Sequence, residues 1–83
     1  MLLYKENKML NEFIEGLAEI LETEIEKIQP DTLLGNFAWD SLAVVSTMAL
    51  VDDVYSVMLD GQALAKCQTV GDIQKLIAVA SGN

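Results

Sequence analysis

A serine lies between an acid and a leucine at Asp40-Ser41-Leu42, with Trp39 before it and an uncharged apolar run, Ala43 to Val51, after it. Its hydroxyl has two uses: attack on a carbonyl, or acceptance of a phosphate ester made by another enzyme. The first needs a nearby base, most often histidine. The chain has no histidine. This removes Ser-His and Cys-His nucleophiles and His-containing zinc sites. Cys67 is the single cysteine, so no intrachain disulfide forms, and its apolar surroundings favour a packed thiol over a reactive one. The sequence contains no metal-ligand cluster, Gly-Lys phosphate loop or Gly-x-Ser-x-Gly elbow. Asp60-Gly61 lacks the spaced carboxylates and distal glutamate of a calcium loop. Neither a catalytic residue nor a metal site is expected, which leaves Ser41 as a helix cap or as a place where another enzyme attaches something.

Composition narrows the setting. Eighty-three residues, 52% of them hydrophobic, suffice for one domain spanning residues 1–83 with a modest core. The longest uncharged apolar run falls well short of the roughly 20 residues that cross a bilayer, and Met1-Leu-Leu-Tyr-Lys-Glu6 lacks a signal-peptide layout. A soluble, cytoplasmic monomer without membrane insertion is expected. Thirteen acidic against five basic side chains give a formal charge of −8, which repels nucleic acid and favours partners with basic patches.

The elements that position Ser41 follow from periodicity. Leu10, Phe13, Ile14, Leu17, Ile20 and Leu21 recur at helical steps opposite Glu12, Glu15, Glu19 and Glu22, predicting a helix over about 7–22 with Asn7 as a cap. Pro30 interrupts, and a connection of about 17 residues runs from Thr23 to Asp40. Ile25, Ile28, Leu33, Leu34 and Phe37 are its own packing residues. A second helix starts at Asp40 or Ser41 and continues to about Tyr55. It is apolar nearly all round, so one face meets the core and another a ligand or a partner. Asp60-Gly61 opens a short helix through Cys67. Thr69-Val-Gly-Asp72 reads as a capping box for a last helix, striped by Val70, Ile73, Leu76, Ile77 and Ala80 and ended by Gly82. Met48, Met58 and Cys67 are read as packing residues. The fold class is all-α: a small four-helix bundle, three longer helices and one short one, with a long loop between the first two.

This arrangement resembles an acyl carrier protein over nearly the whole chain, Met9 to about Ala80. The resemblance rests on Asp40-Ser41-Leu42 at the head of the second helix, the long loop before it, the acidic chain, the missing histidine and Thr69-Val-Gly-Asp72. It implies a non-enzymatic carrier. Ser41 receives 4'-phosphopantetheine from coenzyme A through a phosphopantetheinyl transferase, and acyl or aminoacyl groups ride on the terminal thiol as thioesters between loading and processing enzymes. A helix N-terminus suits the phosphate. Asp40 caps the helix and helps hold a metal or orient the hydroxyl in the transferase complex, Leu42 is a docking handle, and Trp39 either braces the arm or covers the bundle's end.

One departure bears on partners. Carriers of primary fatty acid synthesis bear acids in the first two turns after the serine motif, where this chain has Ala43 and Ser46, with acid only at Asp52 and Asp53. Leu42, Val45 and Ala49 share a face at helical spacing, so the partner-binding surface, with Asp52 and Asp53, reads as more apolar than usual. Trp39 before the motif resembles stand-alone carriers of polyketide, peptide or surface-glycan assembly, with fatty acid synthesis kept as the other pathway. The alternative is a small acidic helical interaction module in which Ser41 is only a helix cap.

Overall fold

The computed structural model describes residues 2–82, with side chains from Lys8 to Gly82. Four helices follow one another: α1 (Leu2–Ile20), α2 (Ser41–Tyr55), α3 (Gly61–Ala65) and α4 (Val70–Ala80). The described residues contain no strand, only a single antiparallel bridge between Leu33 and Thr69. The expected all-α architecture is present, with three longer helices and one short one.

Helix α1 buries Phe13, Leu17 and Ala18 and leaves Glu12, Glu15 and Glu19 exposed, as its periodicity predicts. Its bounds differ from the expected 7–22. It begins at Leu2, so Asn7 lies inside the helix and is not a cap: nothing in Leu2 to Glu6 is a glycine or proline that would stop it. It ends at Ile20 because Glu22 turns left-handed, with φ of 57°, while Glu22 and Thr23 donate back to Glu19 and Ala18 at 3.1 and 2.9 Å. That is the Schellman closure, and Leu21 is buried within it.

The long connection holds two short 3-10 turns, Ile25–Lys27 and Leu34–Asn36. Of its five expected packing residues, Ile28 and Leu34 are buried and Phe37 is half-buried, but Ile25 and Leu33 are exposed. Both sit at the edges of the 3-10 turns, whose three-residue period sends fewer side chains inward than an α-helix does. Backbone bonds replace the missing packing. Leu34 N–H donates to Gln68 O at 2.8 Å, Val70 N–H to Thr32 O at 3.1 Å, and Gly71 N–H to Pro30 O at 2.8 Å. Within the loop, the Thr32 hydroxyl accepts from Gln29 N–H at 2.8 Å and donates to Lys27 O at 2.7 Å.

The core gathers Phe13 and Leu17 from α1, Val44 and Val51 from α2, Leu64 from α3, and Val70, Ile73 and Ile77 from α4, with Ile28, Leu34 and Leu59 between helices. Phe13 meets Tyr55 edge-on, ring centroids 6.1 Å apart. Burial pushes the Tyr55 phenol above its ordinary value. Met58, read as a packing residue, is 72% exposed, since it lies in the extended link between α2 and α3. The short helix ends at Ala65, before the expected Cys67.

Helix α4 starts with the predicted capping box. Thr69 Oγ1 accepts from Asp72 N–H at 3.1 Å, and Asp72 Oδ2 accepts from Thr69 N–H at 3.2 Å and Gln68 N–H at 3.0 Å. The Gln68 and Thr69 amides hold the Asp72 carboxyl below the usual aspartate range. A depressed folded-state value means the stabilisation is full above about pH 3.9 and is lost as pH falls through the lower native value. Asp72→Asn is therefore expected to lower the denaturation midpoint at neutral pH, with the gap to wild type closing in acid. A gap independent of pH contradicts the assignment.

Two glycines mark close approaches. A Cβ at Gly16 would overlap the Leu50 side chain, which can turn aside, whereas one at Gly71 would lie 2.9 Å from the Pro30 carbonyl oxygen, which is fixed in a backbone bond. Gly71→Ala is expected to cost about 1–3 kcal/mol in denaturant unfolding. Gly16→Ala should cost less, because alanine is the better helix former. The reverse order would contradict this packing.

Candidate functional site

Trp39 N–H donates to Phe37 O at 2.9 Å, a tight turn that delivers the chain into α2. Asp40 is extended, at φ −108° and ψ −175°, and its Oδ1 accepts from Ala43 N–H at 2.9 Å while its carbonyl accepts from Val44 N–H at 2.9 Å. Asp40 is thus the N-cap, and the reading of Ser41 as the cap is corrected: Ser41 is the first helical residue. Its side chain is exposed, and its N–H and that of Leu42 meet no acceptor among the described residues. An exposed hydroxyl beside two free amides at the positive end of a fifteen-residue helix suits a phosphate ester.

From Ser41 a groove of ≈ 550 Å³ runs between α2 and α3. Trp39, Asp40 and Ser41 form its mouth, Val44, Val45 and Met48 one wall, and Asp60, Gly61, Gln62 and Ala65 the other. Asp60 caps α3, its Oδ2 accepting from Ala63 N–H at 3.2 Å. Met48 lies close over Gly61, where a Cβ would stand 3.3 Å from its sulfur. Trp39 also walls a neighbouring cleft that contains Cys67, and its buried indole Nε1 has no hydrogen-bond partner among the described residues.

The structure brings Trp39, Asp40 and Ser41 together at one end of the groove. Leu42 (75% exposed), Val45 (61%) and Ala49 form a continuous apolar surface on α2, and Asp52 and Asp53 are exposed beyond it. Ala43 departs from expectation: it is buried, so the position matched to a docking acid faces the core, and only Ser46 is partly at the surface. Cys67 is half-buried and donates to Ala63 O at 3.6 Å. Burial, then the Asp72 charge, push its thiol above the ordinary cysteine value, which fits a packing role. Met48 and the α3 wall were not read as site residues from sequence. Only Asp60-Gly61 hinted at them, and as a helix start.

A long, flexible, phosphate-linked arm fits this corner: a reachable hydroxyl, free amides for the anion, and a groove with an apolar wall on α2. Residues 11–77 match the family described as "Phosphopantetheine attachment site". The chain belongs to the acyl carrier protein family. Among similar proteins is acyl carrier protein MbtL of Mycolicibacterium paratuberculosis (strain ATCC BAA-968 / K-10), 31% identical over 74 residues, 88% of this chain and 83% of that protein. No solved structure shows a significant match. As a carrier the protein holds a covalent 4'-phosphopantetheine, is not itself an enzyme, and works with phosphopantetheinyl transferases and biosynthetic enzymes. No helix of the described residues is long and apolar enough to cross a membrane, and none of their acids or Cys67 cluster as a metal site.

Asp40→Ala in this carrier is expected to lower stability by about 1 kcal/mol, the usual value of an N-cap. Ser41→Ala, at an exposed first-turn position, should stay within about 0.5 kcal/mol of wild type. Equal losses in thermal or denaturant unfolding would return the cap to Ser41.

Proposed function

We propose that Ser41 bears the arm and that residues 1–83 act as one carrier domain, holding acyl or aminoacyl intermediates as thioesters on the terminal thiol. The observation that carries this is the corner itself. Asp40 supplies the cap, so the Ser41 hydroxyl is spared for attachment at the open end of the groove. A side chain used as the cap would be held against the helix and poorly presented to a transferase. The interaction-module alternative loses its main support for the same reason. Asp40 and Trp39 flank the attachment point, Asp40 near enough to assist a metal or orient the hydroxyl in the transferase complex.

Partners meet the carrier through Leu42, Val45 and Ala49, with Asp52 and Asp53 adding charge at the far end. Exposed apolar side chains at one-turn spacing form a contact surface that salt does not screen. Buried Ala43 and uncharged Ser46 leave the first two turns without the acids that fatty-acid enzymes meet, which supports a specialised pathway of the polyketide, peptide or surface-glycan kind. The similarity to a protein named only as an acyl carrier protein is compatible with this and does not choose among them. A monomer working in the cytoplasm is the setting such a carrier fits.

Incubation with coenzyme A and a broad-specificity phosphopantetheinyl transferase, read by intact mass, is expected to add one arm to the wild type and none to Ser41→Ala. An unmodified wild type, or an arm on the variant, contradicts the proposal. Leu42→Asp should slow arm transfer roughly tenfold, the loss of one desolvated apolar anchor, with an unchanged melting temperature. An unchanged transfer rate would remove Leu42 from the docking surface.

A further inference from the structure

The acids of this chain are concentrated away from α2. Six of the thirteen fall between Glu12 and Glu26, a stretch with no lysine or arginine, on the second half of α1 and the turn that follows it. All six are exposed. They are not gathered for an ion, since no three acids among the described residues stand close enough together to hold a metal. Four of them surround an apolar feature instead.

Between α1, the Ile25–Lys27 turn and the start of α4 lies a hollow of ≈ 350 Å³. Ile28 and Val70, both buried, form its floor, and half-buried Leu10 and Ile14 line it from α1. Ile25, 50% exposed, stands at its edge beside Glu15 and Glu26. A second hollow of ≈ 510 Å³ adjoins it across Ile25, shares those two glutamates and adds Glu19 and Glu24. No lysine lines either hollow. The turn that carries Ile25 is held in place, because the Gln29 side-chain amide donates to Glu26 O at 3.2 Å and the Thr32 hydroxyl to Lys27 O at 2.7 Å. A single exposed isoleucine is ordinary. One that continues into an apolar hollow, ringed by four carboxylates that repel one another, fits an apolar group accompanied by cations. Neither hollow shares a residue with the Ser41 groove or with the surface of Leu42, Val45 and Ala49.

We infer that this α1 face docks a second partner segment: a helix presenting one apolar side chain with lysine or arginine a turn before and after it. The apolar side chain covers Ile25 and enters the hollow over Ile28 and Val70, while the cations meet the surrounding glutamates. Anionic lipid and nucleic acid are repelled by the same charges, and a second copy docked face to face would bring two sets of acids together. Docking here leaves Ser41 free. The inference is independent of the attachment reading, and it separates from the α2 contact by salt: ions screen the glutamates but not an apolar surface.

The test titrates the full-length carrier, isotope-labelled for NMR, with an alanine-based helical peptide bearing one leucine and a lysine four residues to either side. Two control peptides carry glutamate for the lysines or alanine for the leucine. Saturable amide shifts are expected in Leu10 to Glu15, Glu24 to Pro30 and Val70 to Gln74, and none in Ser41 to Ala49. Binding should weaken roughly threefold or more between about 0.05 and 0.5 M salt. Ile25→Ala, and the pair Glu15→Gln with Glu26→Gln, should each weaken it roughly threefold without lowering the melting temperature, while Leu42→Asp leaves it unchanged. Saturating peptide should not slow arm transfer to Ser41. Shifts centred on α2, no saturable binding, equal binding of either control peptide, or binding indifferent to the Ile25 and glutamate variants overturns the inference and leaves the attachment reading intact. Self-association of the carrier that Ile25→Ala abolishes would assign this face to a second copy and overturn it as well.

Discussion

Three backbone hydrogen bonds, from Leu34 to Gln68, Val70 to Thr32 and Gly71 to Pro30, fix the path by which this chain reaches its serine. The connection before α2 is long, and with Ile25 and Leu33 exposed it buries few apolar side chains of its own. Tied to the start of α4, it becomes a fixed approach that ends in the Trp39 turn and the Asp40 cap. The bond to Pro30 brings two backbones so close at residue 71 that only glycine fits without a shift. The capping box on Thr69 and Asp72 holds the other side of the same junction, so the last helix start steadies the second.

Helix α2 then divides its surface among three tasks. Val44, Thr47 and Val51 face the core, Leu42, Val45 and Ala49 face outward, and Ser41, Val44, Val45 and Met48 border the groove. A helix with charge only at Asp52 and Asp53 is suited to this, because no face has to be left to water for electrostatic reasons. A carrier needs no base of its own: the chemistry is done by the enzymes that meet it, and what it must supply is a reachable hydroxyl, an anion-compatible helix end and a surface to grip. The absence of histidine, which excludes much catalysis, costs such a protein nothing.

Much of this was legible in the sequence, for identifiable reasons. Asp40-Ser41 and Thr69-Val-Gly-Asp72 are local signals, in which a side chain caps a backbone amide three residues on, and both helix starts fall where the residues indicate. The apolar character of α2 announced an apolar face beyond the one that meets the core, and Leu42, Val45 and Ala49 form it at the surface. What escaped depends on the third dimension. The early start of α1 had no marker, since neither a cap nor a breaker precedes Asn7. Which apolar residues of an irregular loop turn inward is set by tertiary bonds, so Ile28 and Leu34 could not be told from Ile25 and Leu33. The burial of Ala43 and the α3 wall of the groove arise only when α2 is packed against its neighbours. Thr47 reads as one of two polar interruptions in an apolar run, and its burial emerges only once the core is assembled.

Whether the prosthetic group sits on Ser41 is decided by fragment-ion sequencing of protein purified from its native cells. Lysine-specific cleavage releases residues 28–66 as one peptide, which contains Ser41, Ser46 and Ser56. 4'-Phosphopantetheine is expected on that peptide, with the fragment series placing it at Ser41. The group on Ser46 or Ser56, or a peptide that carries none, would contradict this.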